Sequence, residues 1–290
     1  MTAFAYYRPT TLAEAWRRLA AHPGAALLAG GTDLLVRIRA REVRPPAIVS
    51  LRRIPALTGV TTEPGGGMRI GAATPVADLL RNAAIVRRYP LLAQALRVMA
   101  SPQIRNVATL GGNLCNASPC ADTAPPLLAY EARVVLERPR GRRELPLDAF
   151  FLGPGETALR PGEILTAVRL PAPPPGARTR FHKQRRVHLD LALASVAVLL
   201  QFRGSTCRRA RIAAGSVAPT PLRLYEVERR LEGRTVTPEL AAEAGALAAR
   251  SVSPIDDLRA TAAWRRTVVE VRVRRAILEL AGIEATGGAS

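Results

Sequence analysis

The chain has 290 residues, of which 48% are hydrophobic and 22% are charged, and its formal net charge is +19. This length can bury a large core and predicts two domains rather than one. The sequence contains no run of eighteen apolar residues, and its start lacks the basic and apolar stretches of a secretory signal. Neither a membrane span nor export is therefore expected.

The positive charge does not predict a nucleic-acid-binding protein. Lys183 is the only lysine among 42 basic residues, and the arginines are spread along the whole chain. Aromatic residues make up only 4%, so no basic segment is interleaved with side chains that stack on bases. The excess charge is expected instead to favour an acidic partner or an anionic cofactor.

Cysteine usage argues against a metal site. Cys115, Cys120 and Cys207 are the three cysteines, whereas iron–sulfur and structural zinc sites usually need four ligands at defined spacings. Three thiols also make no disulfide framework, which suits a reducing cytosol. We therefore expect no metal ligands in this chain and a cytoplasmic location.

The first part of the chain mixes strands and helices. Thr11 and Glu14 form a capping box that predicts a helix, and His22-Pro23-Gly24 ends it. The other predicted elements are strands at 25–29 and 48–51, a hairpin turn at 65–67, a helix begun by Thr74 and Pro75, a helix at 91–100, and strands at 134–137 and 164–170.

A proline-rich run at 171–176 cannot continue a helix or a strand and is the best linker candidate. Beyond it we predict strands at 196–202 and 211–217, followed by helices. One helix carries Leu224, Val227 and Leu231, and the last carries an apolar face of Trp264, Val268, Val271 and Leu278. The predicted fold class is α+β.

Two glycine-rich segments follow predicted strands or helices. The first is Gly30-Gly31-Thr32-Asp33, and the second, residues 108–122, reads ATLGGNLCNASPCAD. Glycines allow a backbone whose amides another molecule can approach, and consecutive amides can bind an anion such as a diphosphate. Residues 108–122 taken alone are equally compatible with a Gly-Asn turn between strands.

Neither segment is a Rossmann fingerprint or a P-loop. The nearest match to G-x-G-x-x-G is the run at 153–158, but it contains a proline and cannot be followed by the required helix, because Pro161-Gly162 comes next. No Gly-Lys-Ser/Thr triplet is present. The chain therefore lacks the usual sequence signatures of dinucleotide and nucleoside-triphosphate sites.

The blocks at 27–35 and 108–129 resemble the two FAD-binding motifs of the flavoprotein subunit of molybdenum hydroxylases, a family that includes the medium subunit of aerobic carbon monoxide dehydrogenase and the FAD domain of xanthine dehydrogenase. The resemblance continues through 150–165, 181–198, 213–224 and 253–264. It implies a PCMH-type FAD-binding domain at 1–175, with lobes at about 1–55 and 56–175. A smaller α+β domain at 177–285, with a three-stranded sheet and helices, would follow.

The resemblance also implies which residues hold FAD without a covalent bond. The first motif would line the diphosphate with Ala29, Gly30, Gly31, Thr32 and Asp33. The second would hold the diphosphate, ribityl and adenosine parts with Ala108, Thr109, Gly111, Gly112, Asn113, Cys115, Asn116 and Asp122. An ionised carboxylate only accepts hydrogen bonds, so Asp122 is assigned to hydroxyls; an N-cap before Thr123-Ala124-Pro125 is the alternative.

Three more candidates rest on the resemblance. Lys183 falls on a lysine that approaches the flavin ring, where a cation would stabilise anionic reduced flavin; the alternative is a surface lysine that escaped the arginine bias. Met99 would replace an aromatic ring that stacks on the flavin, or else is a core residue of the helix at 91–100. Leu165 would pack near the flavin, or else is a core residue of its strand.

No residue set predicts a substrate-oxidising centre, so no catalytic residue is assigned, and His22, His182 and His188 are expected in loops or at the surface. The resemblance implies an electron-transfer subunit whose partners are a large molybdopterin subunit and a small subunit with [2Fe–2S] clusters, assembled as a dimer of heterotrimers. Molybdopterin and the clusters would lie only on those partners. A flavoprotein that oxidises a small substrate by itself, and a basic scaffold with a vestigial flavin site, are the alternatives. The substrate, the electron acceptor and any attachment to the inner membrane face stay open.

Overall fold

A computed structural model describes residues 4–284. Its strands are β1 (Ala5–Tyr7), β2 (Ala26–Leu28), β3 (Ala47–Ser50), β4 (Val60–Thr62), β5 (Met68–Gly71), β6 (Arg133–Arg138), β7 (Gly141–Pro146), β8 (Phe151–Gly153), β9 (Glu156–Thr157), β10 (Ile164–Leu170), β11 (Arg178–Gln184), β12 (Ala194–Arg203), β13 (Thr206–Gly215) and β14 (Leu222–Arg223). Its α-helices are α1 (Leu12–Ala21), α2 (Leu34–Arg39), α3 (Val76–Arg81), α4 (Ala83–Arg88), α5 (Pro90–Val98), α6 (Pro102–Val107), α7 (Leu110–Cys115), α8 (Ala124–Ala129), α9 (Tyr225–Leu231), α10 (Pro238–Arg250) and α11 (Ala262–Ala281). Within this range, no helix is long and apolar enough to cross a membrane.

The chain forms two compact units that are interleaved in sequence. The first unit contains residues 1–83, 101–117 and 132–171, and the second contains 84–100, 118–131 and 172–290. Two stretches that precede the proline-rich run, 84–100 and 118–131, therefore pack with the part that follows it. The division into domains at 1–175 and 177–285 rests on the family resemblance and not on this packing, and it stays a proposal.

The first unit holds two main sheets. One is parallel with the order β1-β3-β2, and its central strand β3 is buried throughout. The other has the order β4-β5-β10-β6-β7, with all neighbours antiparallel. Ala15, Val49 and Ile164 belong to one apolar cluster of this unit. Burial of that cluster is what fixes α1 against the parallel sheet, since helix stability in proteins comes mainly from packing of an apolar face.

The second unit is built on one antiparallel sheet with the order β11-β12-β13-β14. Its apolar cluster joins alternate residues of β12 and β13, such as Val198 and Ile212, to α9, α10 and α11. The expected α+β architecture is confirmed in both units. The predicted three-stranded sheet has a fourth strand, the two-residue β14, which is too short to leave a pattern in the sequence.

Several local signals are confirmed. The Thr11 hydroxyl accepts a hydrogen bond from the Glu14 amide at 3.2 Å and caps α1. The predicted hairpin pairs Val60 with Ile70, and β10 has the predicted limits. The run at 153–158 forms part of the short β8–β9 hairpin and is not followed by a helix. Predictions that rest on sequence signals within a few residues are therefore confirmed at these positions.

Other local predictions are wrong because tertiary contacts compete with them. Pro75, not Thr74, is the N-cap of α3, since the Thr74 hydroxyl is bonded to Gly59 instead. The apolar face predicted for α11 is only partly right: Leu278 is buried and Val268 packs against the same core, but Trp264 is exposed and the next residue, Arg265, is buried. Residues 108–122, read as a turn or an anion cradle, contain the short helix α7.

Candidate functional site

The first glycine segment leaves the parallel sheet at the carboxyl end of β2. A Cβ atom at Gly30 would collide with the Val107 carbonyl oxygen and lie 2.8 Å from the Ala108 Cα. Only glycine allows this approach. Gly30 therefore brings the end of β2 directly against the chain that enters the second glycine segment.

The backbone amides of residues 30–33 form a run of free donors. None of them donates a hydrogen bond to any residue in the described range 4–284. Gly31 has a φ of +79°, a left-handed conformation that turns the backbone sharply before α2. Successive amides in such a turn make a concavity suited to an anion. This segment fits the diphosphate role expected for it.

In the second glycine segment, several backbone amides are hydrogen-bonded within the protein, and the assignment of its residues to FAD stays a prediction. Thr109 caps α7, and its hydroxyl accepts from the Gly112 amide at 3.1 Å. The Leu110 amide donates to the Thr74 carbonyl oxygen, and the Gly111 amide donates to the Ala72 carbonyl oxygen. These three amides are already used within the protein, so they form no open anion cradle.

Gly111 and Gly112 serve packing at this point. A Cβ atom at Gly111 would lie 2.6 Å from the Ala72 Cβ, so the glycine lets α7 approach residue 72. A Cβ atom at Gly112 would come within 3.9 Å of the Ala29 Cβ, which places this helix beside the first glycine segment. Gly111 is therefore explained by close helix packing, whereas at Gly112 an added Cβ would lie 2.9 Å from the Thr109 hydroxyl that caps α7.

A side-chain hydrogen bond joins the two segments. The Asn116 side-chain amide donates to Asp33 Oδ1 at 3.2 Å, and the Thr32 hydroxyl donates to Asp33 Oδ2 at 3.4 Å. A carboxylate repels a diphosphate, and here both of its oxygens accept hydrogen bonds from neighbours. Asp33 thus holds the two segments together, a role that sequence reasoning did not assign to it.

A buried ion pair lies in the second unit. The Lys183 ammonium is 2.7 Å from Asp122 Oδ2, and the two side chains are only 3% and 8% exposed. Lys183 also donates to the Val98 carbonyl oxygen at the end of α5, at 3.4 Å. The alternative of a surface lysine is wrong. The N-cap alternative for Asp122 is also wrong, since Thr123 is the N-cap of α8 and no side chain caps that helix.

The ion pair leaves one acceptor unused. Asp122 Oδ1 is buried and has no hydrogen-bond partner in the described part of the chain. Burial raises the pKa of the Asp122 carboxyl, and the neighbouring Lys183 ammonium opposes that rise. A buried acceptor without a donor costs free energy, so this atom suits a ligand hydroxyl or N–H group.

The remaining candidates lie in helices, strands and their ends. Met99 is the C-cap of α5, which ends at Val98, two residues before the predicted end at residue 100. Ala108 is the C-cap of α6, and Leu165 lies in β10. Met99, Ala108 and Leu165 are all buried. Asn113 lies in α7, where its amide donates to the Thr109 carbonyl oxygen.

Cys115, Cys207 and His182 are held in their neutral forms. Burial raises the pKa of the Cys115 thiol to about 12 and that of Cys207 to about 11, so both are protonated at neutral pH. His182 lies in strand β11 rather than in a loop, and burial together with Arg180, Arg272 and Arg275 lowers its pKa to about 4. Within residues 4–284, no three acidic, cysteine or histidine side chains gather as metal ligands would.

The free amides, the buried cation and the buried acceptor together indicate the class of cofactor-binding proteins. An α+β unit with a turn of free amides beside a second glycine segment is suited to the diphosphate of a nucleotide cofactor. The second unit supplies a cation and a buried acceptor, which suit a cofactor that carries hydroxyls and a ring able to take negative charge. Taken separately, the groups of each unit fit one part of a flavin dinucleotide.

Comparison with known proteins identifies the family. Residues 2–173 match the FAD binding domain in molybdopterin dehydrogenase, and residues 179–280 match the CO dehydrogenase flavoprotein C-terminal domain. The chain belongs to the family of FAD-binding subunits of molybdopterin dehydrogenases. The resemblance seen in the sequence is confirmed, and so is FAD as the cofactor of the family's domain.

Individual relatives agree over almost their whole length. The chain is 37% identical to the carbon monoxide dehydrogenase medium chain of Hydrogenophaga pseudoflava, covering 94% of this chain and 96% of that one. It is 33% identical to a putative xanthine dehydrogenase FAD-binding subunit of Escherichia coli K12, covering 98% and 97%.

Solved structures give the same result. A carbon monoxide dehydrogenase from Hydrogenophaga pseudoflava, which lacks the Mo-pyranopterin moiety of its cofactor, matches with a TM-score of 0.92 and 36% identity, covering 96% of this chain and 97% of that one. Quinoline 2-oxidoreductase from Pseudomonas putida 86 matches with a TM-score of 0.92 at 28% identity, covering 97% of each chain.

Proposed function

We propose that this chain binds FAD non-covalently and is the electron-transfer subunit of a molybdenum-containing dehydrogenase. Electrons would reach its flavin from [2Fe–2S] clusters on a partner chain and leave to an external acceptor. When bound, FAD supplies the exchange between single-electron and paired-electron transfer. The protein's own residues bind the cofactor, orient it and set the charge around it.

The observation that carries this proposal is the run of free amides at 30–33. A diphosphate is a dianion, and hydrogen bonds to charged groups contribute about 1.5–3 kcal/mol each. The amides are held in place by the left-handed turn at Gly31 and by the Asp33–Asn116 hydrogen bond. Because the turn is preformed, little ordering entropy opposes binding.

The Lys183–Asp122 pair has a second role in this proposal. Asp122 Oδ1 would accept a hydrogen bond from a ribityl hydroxyl, since it is buried and has no donor in the described residues. Lys183 would place positive charge beside the flavin ring and favour its reduced, anionic form. The Asp122 carboxylate holds the ammonium in a fixed position.

The partners follow from the relatives. Carbon monoxide dehydrogenase medium chains and xanthine dehydrogenase FAD-binding subunits are named as parts of larger enzymes. We propose that this chain likewise has two partner chains, a large molybdopterin subunit and a small iron–sulfur subunit. The three chains would assemble as a dimer of heterotrimers in the cytoplasm. Molybdopterin and the clusters belong to those partners in this proposal.

A pair of glycine variants tests the amide run. Gly31→Ala places a side chain on a left-handed residue within the run, where the added Cβ lies 3.0 Å from the flexible side-chain ends of Leu28 and Leu35. Gly155→Ala does the same in the β8–β9 hairpin, where φ is +76° and no atom lies within 4 Å of the added Cβ, so it controls for the backbone strain alone. Both variants carry a similar backbone strain. We expect the FAD dissociation constant to rise about tenfold or more in Gly31→Ala only, which is the loss of one charged hydrogen bond.

The outcomes are distinct. Equal FAD affinity in both variants, measured by the visible absorption of bound flavin, would contradict the role of the amide run. The purified chain should also bind about one FAD per chain and oxidise no substrate by itself. Dehydrogenase activity without partner chains would favour a self-sufficient flavoprotein instead.

A further inference from the structure

A glutamine side chain is bonded to the outer edge of the strand that carries Lys183. This strand, β11, lies at one end of its sheet, and no strand among residues 4–284 pairs with its other side. Gln94, in helix α5, occupies part of that edge. Its side-chain amide donates to the Thr179 carbonyl oxygen at 3.3 Å, and its side-chain oxygen accepts from the Phe181 amide at 2.8 Å.

These two hydrogen bonds are the ones that a neighbouring parallel strand would make. A residue of such a strand bonds the carbonyl of one residue beside it and the amide two residues further on, as Gln94 does with Thr179 and Phe181. The Gln94 amide also lies 3.4 Å from the Thr179 hydroxyl. Gln94 and β11 both belong to the second unit. Because both polar groups of the side chain are used, Gln94 ties α5 to β11.

The next turn of α5 reaches Lys183. Val98, the last residue of α5, is four residues after Gln94, and its carbonyl oxygen accepts from the Lys183 ammonium at 3.4 Å. Four helical residues rise about 6 Å, and the two strand residues from Phe181 to Lys183 rise about 6.6 Å. The two contacts therefore match in spacing, and a helix fixed at Phe181 by Gln94 has its last carbonyl beside Lys183.

The Val98 carbonyl oxygen is the second acceptor that holds the ammonium. The first is Asp122 Oδ2, at 2.7 Å from Lys183. Arg185 also donates to the Val98 oxygen, at 3.5 Å. The carbonyl end of a helix carries partial negative charge, which favours nearby cations. An ammonium has three donors on a flexible stem, so a single acceptor leaves it free to turn, whereas two fixed acceptors define its position.

We propose that Gln94 is a positioning residue for the Lys183 cation. It fixes α5 along β11, so that the last carbonyl of the helix holds the ammonium in one place. This rests on the proposed function, in which Lys183 favours the reduced flavin. A charge that is held in place stabilises an anionic ring better than one that can turn toward water, because no reorganisation opposes it. Gln94 thereby raises the reduction potential of the flavin through Lys183.

A double-mutant cycle tests this coupling. Gln94→Met keeps an unbranched side chain and removes both hydrogen bonds, and it is made alone and together with Lys183→Met. Gln201→Met is the matched control, since the Gln201 amide also donates to a backbone oxygen of the second unit, that of Pro175 at 2.9 Å. Gln201 lies six residues along β12 from Ser195, which is the partner of Lys183 in the sheet.

Two quantities are measured in the full chain: the reduction potential of the bound flavin and the hydrogen exchange of the Phe181 amide. We expect Gln94→Met to lower the potential by less than Lys183→Met does, and to have no further effect once Lys183 is replaced. The Phe181 amide should exchange about tenfold faster, as for the loss of one hydrogen bond. Gln201→Met should change neither quantity. If Gln94→Met does not fold, Gln94→Asn takes its place, since its amide is one methylene shorter and cannot bond both strand groups.

The outcomes separate this role from the function beneath it. An unchanged potential in Gln94→Met, or the same shift with and without Lys183, would overturn the positioning role. Unchanged exchange of the Phe181 amide would overturn it as well, whatever the potential shows. If Lys183→Met leaves the potential unchanged, or if the chain binds no FAD, the proposed function fails and the positioning role fails with it, even where faster exchange confirms the Gln94 contact.

Discussion

The Lys183–Asp122 pair allows a quantitative prediction. Lys183→Met removes a charge that is 2.7 Å from Asp122 Oδ2 inside the second unit. At an effective dielectric constant of about 20, the lost attraction is about 6 kcal/mol before desolvation is counted. Relief of the lysine's own desolvation offsets part of it, and breaking buried pairs costs about 3–5 kcal/mol in practice. We expect that loss in the free energy of unfolding at pH 8.

The loss should depend on pH. Burial already raises the pKa of Asp122, and removing Lys183 removes the charge that opposes this rise. A carboxyl whose pKa is higher in the folded than in the unfolded state binds more protons when folded, so stability falls as pH rises between the two values. The penalty of Lys183→Met should therefore be smaller at pH 5 than at pH 8.

Urea unfolding of the full chain at both pH values measures these effects. Arg186→Met is the matched control. It removes an ion pair in the loop that follows β11, where Arg186 Nε lies 2.9 Å from Asp190 Oδ2. Exposed ion pairs of this kind contribute little to stability. Adding Asp122→Asn to Lys183→Met should restore part of the lost stability, since no unpaired charge stays buried. Equal, pH-independent effects of Lys183→Met and Arg186→Met would refute the reasoning.

Three further predictions use other groups. Lys183→Met should lower the reduction potential of the bound flavin in spectroelectrochemistry, because the cation no longer favours the reduced ring; an unchanged potential would remove Lys183 from that role. Cys115 and Cys207 should resist iodoacetamide at pH 8 and react once urea unfolds the chain, because burial raises the pKa of both thiols. Labelling of either cysteine in the folded chain, detected by mass spectrometry of labelled peptides, would contradict this. Thr237→Ala should cost about 1 kcal/mol of unfolding free energy, since its hydroxyl caps α10 through the Leu240 amide, and an unchanged urea midpoint would contradict this.

Elements whose signals are local could be predicted from the amino-acid sequence. A capping box, a glycine hairpin turn and a run of β-branched and aliphatic residues each act within about ten residues, so α1, the β4–β5 hairpin and β10 could be predicted. The two glycine segments and their order along the chain also identified the family and its cofactor. These features depend on backbone conformation, which neighbouring residues largely set.

Which distant side chains come into contact depends on the three-dimensional fold. Asp122 and Lys183 are 61 residues apart, and Asn116 and Asp33 are 83 apart, so no local pattern announces either contact. The amides of α7 were expected to be open, yet two of them bind carbonyl oxygens of residues 72 and 74, which long-range packing brings there. Leu258 is fully exposed because Asp257 and Arg265 fix its turn, and a side chain's burial depends on what the whole fold places around it.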